Sequence, residues 1–528
     1  MAFKILVSDP LAKAGVEILE KEKGFKVDVR PNLSPEEIKR CIGEYDALIV
    51  RSQTKVTKEI LSSTKKLKYI GRAGVGLDNI DVEEASKRGI VVMNAPGGNT
   101  ISTAEHAFSL ILALSRKIPQ ANESVKKGEW ERKKFMGVEL YGKTLGIIGF
   151  GRIGTEVARR ALSFNMKVVA YDPFLSPDKA KALGIESVNL EDLFKRSDYI
   201  TVHTPHNKET HYIIKSDSFK KMKKGVRIIN CARGGIIDEE ALLEAIEKGR
   251  VAGAALDVYE KEPPKGSKVI SCDKIITTPH LGASTEEAQV NVALDVAESI
   301  KDALTGRGIR NAVNAPSIDP EVLKVMEPYL SLAEKIGKMQ AQLAEGYIKK
   351  VKVKYVGEAA KHDPGTLTRS VMKGMLEPIL EENVNYVNAP VIAKERGIKI
   401  IEEKTEEIED FANLVIVEIE TERSKNFIMG TLFTKVNPRI VKINQHYVEV
   451  VPQGHMLVIR NQDKPGIVGH IGTLLGAENI NIAGMTFGRA KPGGDAVSVL
   501  NIDSAVSKAT LEKIKKAKYI KDVKAIKL

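Results

Sequence analysis

The N-terminal part of the chain alternates short apolar runs with polar stretches. Four runs, FKILVSD, YDALIVR, LKYIGRAG and IVVMN, fall between about Lys4 and Met93, and polar segments with helical character separate them. Such alternation is typical of a parallel sheet covered by helices. We therefore predict an α/β domain over residues 1–97.

A second alternation follows the helical stretch TAEHAFSLILALSRKIPQA. It opens with the run LYGKTLGIIGF and continues to ITTPHLGAST, near Ser284. This pattern predicts a second α/β domain over residues 98–284. Because the helical stretch from Thr285 to Thr305 follows that domain directly, we expect it to pack back onto the first domain, which residues 285–312 would complete.

Two further units are predicted in the C-terminal part. Residues 317–452 read as an additional α/β domain with hairpins at VIVEIETERSKNFIMGTLF and PRIVKINQHYVEVVP, and the mixed charges from Glu402 to Glu409 indicate a helix. Residues 455–528 read strand, helix, two strands around a Pro-Gly-Gly turn, helix and strand. That order predicts a ferredoxin-like βαββαβ fold.

Composition narrows the class of protein. A chain of 528 residues is too long to fold around a single hydrophobic core, so several domains are expected. The net charge is +12, but lysines are spread over the whole chain, so we expect a solvated surface that attracts anions, and no nucleic-acid partner. Cys41, Cys231 and Cys272 form no CxxC pair, so we expect neither disulfides nor a metal site. Without an apolar stretch long enough to span a bilayer, the expected location is the cytoplasm, with no membrane partner.

The strongest local motif is GFGRIG, with Gly149, Gly151 and Gly154. It follows an apolar strand, opens a helix and precedes a second strand that ends in Asp172. Glycines let the backbone approach a pyrophosphate, and the helix N-terminus attracts its charge. Asp172 can accept hydrogen bonds from ribose hydroxyls and repels a 2′-phosphate. The motif therefore predicts NAD rather than NADP, with a purely structural turn as the alternative.

Three more segments place polar side chains where predicted strands end. They are VRIINCARGG with Arg233, AALDVYEKEP with Asp257 and Glu262, and IITTPHLGAS with His280. Ligands of open α/β sheets bind beyond the carboxyl ends of strands, so these side chains could meet there. Reduction of a 2-keto acid needs a cation for the carboxylate and a general acid for the alkoxide, which fits Arg233 and His280.

Glu262, if bonded to the other ring nitrogen of His280, would raise the pKa of that histidine. Each of these residues also has a plain structural explanation. Arg233 would be a surface ion pair, Glu262 a turn carboxylate and His280 a hydrogen-bonded loop histidine.

Taken in order, the glycine motif, Asp172 and the CARGG, DVYEKEP and PHLG segments closely resemble the D-isomer-specific 2-hydroxy acid dehydrogenases. The resemblance implies an NAD-dependent oxidoreductase with a Rossmann domain, in which Arg233, Glu262 and His280 are catalytic. It assigns these residues to the cofactor: Gly149, Gly151, Arg152, Ile153, Gly154, Asp172, His203, Thr204, Pro205, Cys231, Ala232, Arg233, Asp257, His280, Gly282 and Ala283.

Cations in three loops, VRSQTKVT, GRAGVGLDNID and GEWERKKFMGVEL, would suit a doubly charged substrate. Taken alone, such side chains are more often solvated or structurally paired. The segments resemble those of the family members that oxidise 3-phosphoglycerate and open the phosphorylated route to serine. The resemblance implies that GEWERKKF reaches a neighbouring subunit in a dimer or tetramer. It assigns these residues to the substrate: Arg51, Arg72, Gly74, Val75, Asn99, Arg132 and Lys133.

The C-terminal unit resembles an ACT domain, a regulatory module that pairs edge to edge and binds amino acids. The resemblance implies L-serine as an effector, bound by Asn461, Asp463 and Asn481. A Pro-Gly turn before a helix suits a carboxylate, and Asp463 suits an ammonium group. Position 461 is Asn where some relatives have His or Tyr. Residues 317–452 resemble an additional regulatory domain that holds anionic ligands in the long members of the family.

Two other functions fit parts of the pattern. A hydroxypyruvate or glyoxylate reductase would use the same catalytic residues, although such enzymes seldom carry two C-terminal domains. A non-catalytic regulator could use the NAD-binding fold as a sensor. The three catalytic candidates weigh against that regulator.

Overall fold

The chain folds around four sheets in a computed structural model that describes residues 2–316, 320–361, 363–380, 384–407 and 411–528. The first two sheets are parallel and covered by helices, and the last has the ferredoxin-like order, so the predicted α/β fold class is confirmed. The predicted start of the third domain, residue 317, lies outside the described residues. Among the described residues, no helix has the length and apolar character needed to cross a bilayer.

The first sheet is parallel, in the order β2-β1-β3-β4-β5. Its strands are β1 (Phe3–Val7), β2 (Phe25–Val29), β3 (Ala47–Val50), β4 (Tyr69–Arg72) and β5 (Val91–Asn94). Its helices are α1 (Lys13–Glu20), α2 (Pro35–Cys41), α3 (Lys58–Ser62) and α4 (Val82–Lys87), with a 3₁₀ turn at Ile42–Glu44. Four strands match the predicted runs, and β2 was not anticipated.

The second sheet is parallel and has the order β12-β11-β10-β9-β6-β7-β8. Its strands are β6 (Thr144–Ile148), β7 (Lys167–Tyr171), β8 (Glu186–Ser187), β9 (Tyr199–Val202), β10 (Val226–Asn230), β11 (Val251–Leu256) and β12 (Ile275–Thr277). The helices are α5 (Thr100–Arg116), α6 (Ile118–Lys126), α7 (Arg152–Ser163), α8 (Pro177–Ala182), α9 (Leu190–Arg196), α10 (Ser216–Lys221) and α11 (Glu239–Glu247), with a 3₁₀ turn at Lys268–Ser271. Chain order reverses between β6 and β9, and ligands of doubly wound folds bind at such a switch point.

Helix α12 (Glu286–Leu304) packs on the first sheet rather than on the second. A methyl group on Gly71 of β4 would lie 2.6 Å from Val296, and one on Gly15 of α1 would lie 2.7 Å from the carbonyl oxygen of Ala293. Both glycines therefore allow the helix to approach closely. The residue numbers at which the domains begin and end stay a prediction.

The third sheet is mixed, in the order β14-β13-β15-β16-β17-β18, and only β13 and β14 are parallel. Its elements are α13 (Pro320–Leu343), β13 (Ile348–Gly357), α14 (Glu358–Lys361), α15 (Pro364–Leu376), α16 (Ala389–Glu395), β14 (Lys399–Thr405), β15 (Asn413–Thr421), β16 (Lys425–Phe433), β17 (Asn437–Ile443) and β18 (His446–Val450). Both predicted hairpins are confirmed. The helix predicted from Glu402 to Glu409 is wrong, because its first residues belong to β14 and alternate along an edge strand; residues 408–410 lie outside the described residues.

The fourth sheet is antiparallel, in the order β20-β21-β19-β22. Its elements are β19 (His455–Gln462), α17 (Ile467–Ala477), β20 (Ile482–Arg489), β21 (Asp495–Ile502), α18 (Lys508–Lys515) and β22 (Ile520–Lys527). Helices α17 and α18 cover one face. On the other face, Met456, Val499 and Ile526 join the hydrophobic core of the third domain, where α13 contributes Met339. The two C-terminal units therefore share one core.

Candidate active site

The glycine loop forms the turn between β6 and α7. Gly149 has φ +90°, and a methyl group there would lie 2.6 Å from the carbonyl oxygen of His203. A methyl group on Gly154 would lie 2.4 Å from the carbonyl oxygen of Gly149. Around Gly151, by contrast, no described atom beyond its chain neighbours lies within 4 Å of the place of a Cβ. This open space at the N-terminus of α7 fits a pyrophosphate, with Arg152 exposed and Ile153 half-buried in the first turn.

Asp172 at the end of β7 is joined to the same loop. Its Oδ2 accepts a hydrogen bond from the N–H of Phe150 at 2.7 Å, and its Oδ1 accepts one from the N–H of Phe174 at 2.8 Å. A carboxylate oxygen can accept two hydrogen bonds. Asp172 therefore supports the loop and keeps acceptor capacity for a pair of hydroxyl groups.

Residues His203, Thr204 and Pro205 follow β9 beside the glycine loop. The Nε2 of His203 lies 2.9 Å from the hydroxyl of Thr201. Burial lowers the pKa of His203 to about 4, so the ring is neutral near pH 7. The buried Nδ1 of His203 and the hydroxyl of Thr204 have no hydrogen-bond partner within the described chain. Two polar atoms are thus free to meet a ligand, with exposed Pro205 next to them.

Arg233 follows β10 and reaches across to the first domain. Its Nε donates a hydrogen bond to Oδ2 of Asp78 at 3.0 Å, and its Nη1 donates to the carbonyl of Ala232 at 2.7 Å. The side chain of Asn230 binds the N–H of Ala232 and the carbonyl of Arg233, which holds the turn. A Cβ on Gly76 would lie 1.9 Å from Nη2 of Arg233. The guanidinium therefore lies directly against the loop that follows β4.

His280 and Glu262 form a hydrogen-bonded pair. The Nδ1 of His280 lies 2.8 Å from Oε2 of Glu262, whose Oε1 accepts a hydrogen bond from the N–H of Tyr259 at 3.2 Å. The hydrogen bond with Glu262 raises the pKa of His280, and burial and the charge of Arg233 oppose this rise. Burial would raise the pKa of Glu262, but His280 brings it below its usual value. Because the carboxylate only accepts, the proton sits on Nδ1 and Nε2 is left for proton transfer.

Asp257, fully buried, holds the histidine loop (residues 278–282). Its Oδ1 accepts hydrogen bonds from the N–H of Leu281 at 2.7 Å and the hydroxyl of Thr278 at 2.5 Å, and its Oδ2 accepts one from the N–H of Gly282 at 2.9 Å. His280 has φ +55°, a conformation that is unfavourable for residues other than glycine. The Asp257 carboxylate therefore stabilises the turn that presents His280.

Helix α5 contacts the same loop through one polar face. The hydroxyls of Ser102 and Thr103 both donate to the carbonyl of Gly282 at 3.0 Å. One turn later, Nε2 of His106 lies 3.1 Å from Oδ1 of Asp257. A ring nitrogen of His106, a carboxylate oxygen of Asp257 and the sulfur of buried Cys231 lie within 4.8 Å of one another. Burial raises the pKa of the Cys231 thiol. Directly after the loop, the carbonyl of Ala283 accepts a hydrogen bond from the side chain of Gln289 at 2.7 Å.

Arg51 and Arg72 bring positive charge to the first domain's side of the cleft. Burial lowers the pKa of Arg51, and burial together with repulsion by Arg233 lowers that of Arg72 to about 10, so both are charged at pH 7. The backbone N–H of Arg51 donates to Asp9 at 2.6 Å. Gly74, at φ +152°, leaves room for Nη1 of Arg72, which would lie 1.5 Å from a Cβ there. Three cationic side chains, counting Arg233, therefore surround the cleft.

Several buried polar atoms of these residues have no hydrogen-bond partner. Within the described chain, such atoms include Nε of Arg51, Nε of Arg72 and Oδ1 of Asn99, together with the two atoms near the glycine loop. An unpaired buried polar atom costs free energy, about 1–3 kcal/mol each. Unpaired atoms at the predicted substrate and cofactor positions indicate a site prepared for polar ligands. Val75 offers no side-chain polar atom, and its carbonyl accepts a hydrogen bond from Asn94 at 2.7 Å.

Arg132 and Lys133 lie apart from the other predicted substrate residues. They are exposed on the turn after α6, next to Trp130, which is 79% exposed. Among the described residues, neither has a hydrogen bond or ion pair with a residue of the cleft. Their predicted contact with a neighbouring subunit stays a prediction.

The three predicted effector residues have separate partners. Asn461 is buried and accepts a hydrogen bond from Ser498 at 3.1 Å. Asp463 accepts from Arg489 at 2.9 Å and from the N–H of Gly493 at 3.1 Å. Asn481 donates to Asp503 at 2.9 Å. No hydrogen bond of the described chain joins any of the three to another, so their role as one binding site stays a prediction.

Sequence reasoning missed Asp9, Asp78 and His106. Asp9 follows β1 in VSDP, a position where a polar residue at a strand end was a usable signal. Asp78 stands in a loop, and His106 stands within a helix. Their partners are 155 and 151 residues away, which no local pattern reveals.

Comparisons with known families agree with this geometry. The model of the D-isomer specific 2-hydroxyacid dehydrogenase NAD binding domain matches residues 108–282. The D-3-phosphoglycerate dehydrogenase intervening domain matches residues 325–444, and the ACT domain matches residues 455–518. The second domain is therefore an NAD-binding domain, and the last is an ACT domain.

Curated relatives match over the full chain. D-3-phosphoglycerate dehydrogenase of Archaeoglobus fulgidus is 49% identical, covering 99% of this chain and 100% of the relative. That of Methanocaldococcus jannaschii is 46% identical, with coverage of 99% and 100%. Among solved structures, D-lactate dehydrogenase from Aquifex aeolicus complexed with NAD and lactic acid is 31% identical with a TM-score of 0.53, covering 60% of this chain and 100% of that one.

Proposed function

Because the chain belongs to the D-3-phosphoglycerate dehydrogenase family, we propose that it oxidises 3-phospho-D-glycerate to 3-phosphohydroxypyruvate with NAD, the first step of phosphorylated serine biosynthesis. The observation that carries the proposal is the pair of His280 and Glu262 beside three arginines around one cleft. A general base and an excess of positive charge are what a phosphorylated hydroxy acid requires.

In the direction of oxidation, Nε2 of neutral His280 accepts the proton of the substrate's 2-hydroxyl group. Glu262 stabilises the imidazolium that results, because its carboxylate already accepts the hydrogen bond from Nδ1. NAD, when bound, would supply the hydride acceptor for the carbinol carbon. In reverse, the imidazolium returns the proton to the developing alkoxide.

Arg233 binds the substrate carboxylate and polarises the adjacent carbon–oxygen bond. Its Nε and Nη1 have protein partners, and no hydrogen bond within the described chain involves Nη2. Arg51 and Arg72 then receive the phosphate from the other wall of the cleft, assisted by Asn99 and the backbone of Gly74 and Val75.

NAD would be held by residues of the second sheet's switch point. The N-terminus of α7 would receive the pyrophosphate, and Asp172 would accept hydrogen bonds from the ribose hydroxyls. Asp257 acts on the ligand through the loop that it supports. The other proposed contacts come from these residues: Gly149, Gly151, Arg152, Ile153, Gly154, His203, Thr204, Pro205, Cys231, Ala232, Gly282 and Ala283.

The test is the initial rate of NAD reduction with 3-phospho-D-glycerate, D-glycerate and glycolate at equal concentrations. We expect a strong preference for the phosphorylated acid. Arg72→Met should reduce that preference mainly through KM, while turnover of D-glycerate stays within about twofold. A preference for the unphosphorylated acids would indicate a sister reductase, and no turnover with any acid would indicate a non-catalytic regulator.

Regulation and assembly form a second part of the proposal. L-serine would bind the ACT domain and inhibit, in a cytoplasmic dimer or tetramer in which Arg132 and Lys133 approach the partner's cleft. Serine titration of the rate, with Asp463→Asn for comparison, tests the first point. Molar mass by light scattering tests the second, and a monomer with full activity would contradict it.

A further inference from the structure

The third domain docks against the first domain at a defined joint. The side chain of Asn385 donates to the carbonyl of Gly89 at 2.9 Å, and Lys87 lies 3.4 Å from Glu395. Val387 packs into the hydrophobic core of the first domain. The two domains thus meet through polar and apolar contacts around α4 and α16.

A cavity of about 580 Å³ lies in this joint. Its walls come from the segments before β4 and β5, the end of α12, and helices α13 and α15 of the third domain. Volumes of about 300–1,000 Å³ are typical of small-molecule sites. The cavity is on a different part of the first domain from the cleft that holds Arg51 and Arg233.

Five cations line the cavity: Lys65, Lys66, Lys68, Arg88 and Arg369. No aspartate or glutamate is among the described residues that line it. Lys66 is paired with Asp46 and Arg88 with Glu84. The remaining three have no ion pair within the described chain, so the described lining carries an excess of positive charge.

Arg369 is the half-buried member of the set. Its Nη1 donates to the carbonyl of Tyr386 at 3.1 Å and lies 3.5 Å from that of Asn314. Its Nε and Nη2 have no hydrogen bond to any residue of the described chain. Burial lowers the pKa of Arg369, and the charges of Asp363 and Glu402, neither of which lines the cavity, offset this only in part. This edge of the guanidinium offers two parallel N–H groups, the geometry that a carboxylate accepts.

Part of the cavity wall is apolar. Leu67, Ile309, Leu330 and Val387 line the cavity. A bare inorganic anion would leave this surface without a partner, whereas an apolar body would cover it. We propose that the cavity between the first and third domains binds an organic carboxylate with an apolar body, held by Arg369 against these walls.

Isothermal titration calorimetry of the full chain tests the proposal with three probes. They are 4-phenylbutyrate, which has both features, 4-phenylbutanol, which lacks the charge, and inorganic phosphate, which lacks the apolar body. We expect saturable binding of one 4-phenylbutyrate per chain, at least about tenfold tighter than either other probe. Absence of saturable binding by the carboxylate overturns the proposal, and equal or tighter binding of phosphate replaces it with a simple anion site.

Variants locate the binding. Arg369→Met should weaken 4-phenylbutyrate at least about tenfold, and Arg423→Met, in a different part of the third domain, should not change it. Binding that survives Arg369→Met lies elsewhere, for example at the arginines of the cleft, and contradicts the assignment. Leu323→Trp fills the cavity from α13 and tests the same point if the arginine variant fails to fold. Because dehydrogenase turnover is a separate measurement, failure of this site leaves the proposed function untouched.

Discussion

The guanidinium of Arg233, in the NAD-binding domain, and the carboxylate of Asp78, in the first domain, form an ion pair across the cleft, with Nε 3.0 Å from Oδ2. Asp78 is 74% exposed, whereas Arg233 is only 29% exposed. An exposed pair of this kind adds about 0–1 kcal/mol to stability. The main effect of the pair is therefore to orient the side chain of Arg233.

Replacing Asp78 by Ala should lower kcat/KM for 3-phospho-D-glycerate about tenfold, because Arg233 loses the partner that orients its fork. The melting temperature should hardly move. The matched control is Glu83→Gln, which breaks the exposed pair with Lys87 in the same domain and should leave kcat/KM unchanged. Equal rates in Asp78→Ala and the parent would show that Arg233 needs no such support.

The pH profile should report the pair of His280 and Glu262. Since Glu262 raises the pKa of His280, oxidation should gain rate as the pH rises through that raised value, where the base becomes neutral. The contribution of the pair to stability has the opposite dependence: it is present below the ordinary histidine pKa of about 6.5 and is lost as the pH rises through the raised value.

Glu262→Gln should move the acidic limb of kcat/KM to lower pH and reduce the maximum rate. His280→Ala should lower kcat by about 10²–10⁴ while NADH still binds, as measured by fluorescence titration. An acidic limb that stays in place in Glu262→Gln would remove the carboxylate from the proton-transfer step.

Asp172→Ala should weaken NAD and relax discrimination against NADP. The substitution removes the acceptor for the N–H of Phe150 as well as the repulsion of a 2′-phosphate. The ratio of kcat/KM for NAD to that for NADP is the measurement. Asp178→Asn, at an exposed position in α8, is the control, and a ratio that both variants leave unchanged would mean that the ribose contact is misassigned.

His106 is not among the proposed ligand contacts, but His106→Leu should still slow turnover, because Asp257 loses one of the hydrogen bonds that fix the histidine loop. We expect kcat to fall about tenfold, with a loss of about 1–3 kcal/mol of stability. His106→Gln, whose amide can still donate to Asp257, should recover most of the rate. If Gln and Leu behave alike in kcat and differ only in melting temperature, His106 is a structural residue alone.

Gly71→Ala should destabilise the protein by about 1–3 kcal/mol, since the added methyl would lie 2.6 Å from Val296 of α12. Gly469→Ala is the matched control, because nothing lies within 4 Å of the added group and α17 gains a better helix former. Denaturant titration of both variants measures the effect. A neutral Gly71→Ala would show that α12 is not fixed on the first sheet.

Much of the fold could be predicted because the apolar runs of parallel strands are continuous and buried on both faces. Strand β2 was not predicted because it lies at the edge of its sheet. In its sequence FKVDV, apolar and charged residues alternate, and none of them is fully buried. The prediction of a helix from Glu402 to Glu409 is wrong for a similar reason. Mixed charges fit an exposed helix and the edge strand β14 equally well.

For the site, the candidates that could be found from the sequence are those next to a predicted strand end. Arg233 and His280 follow β10 and β12 closely, so the topology of the sheet brings them near each other. The supporting residues lie elsewhere. Asp78 belongs to the other domain, and His106 lies within helix α5, far from any strand end, so only the folded structure shows what each side chain contacts.

The core shared by the third domain and the ACT sheet has a consequence for how the chain can be divided. Met456, Val499 and Ile526 are buried against α13 and its neighbours, and Gln342 exchanges two hydrogen bonds with the backbone of Lys527. A truncation before β19 would leave that apolar surface open to water, so the shortened protein should self-associate. The ACT unit is therefore not a detachable module: the two C-terminal units should melt together in one calorimetric transition.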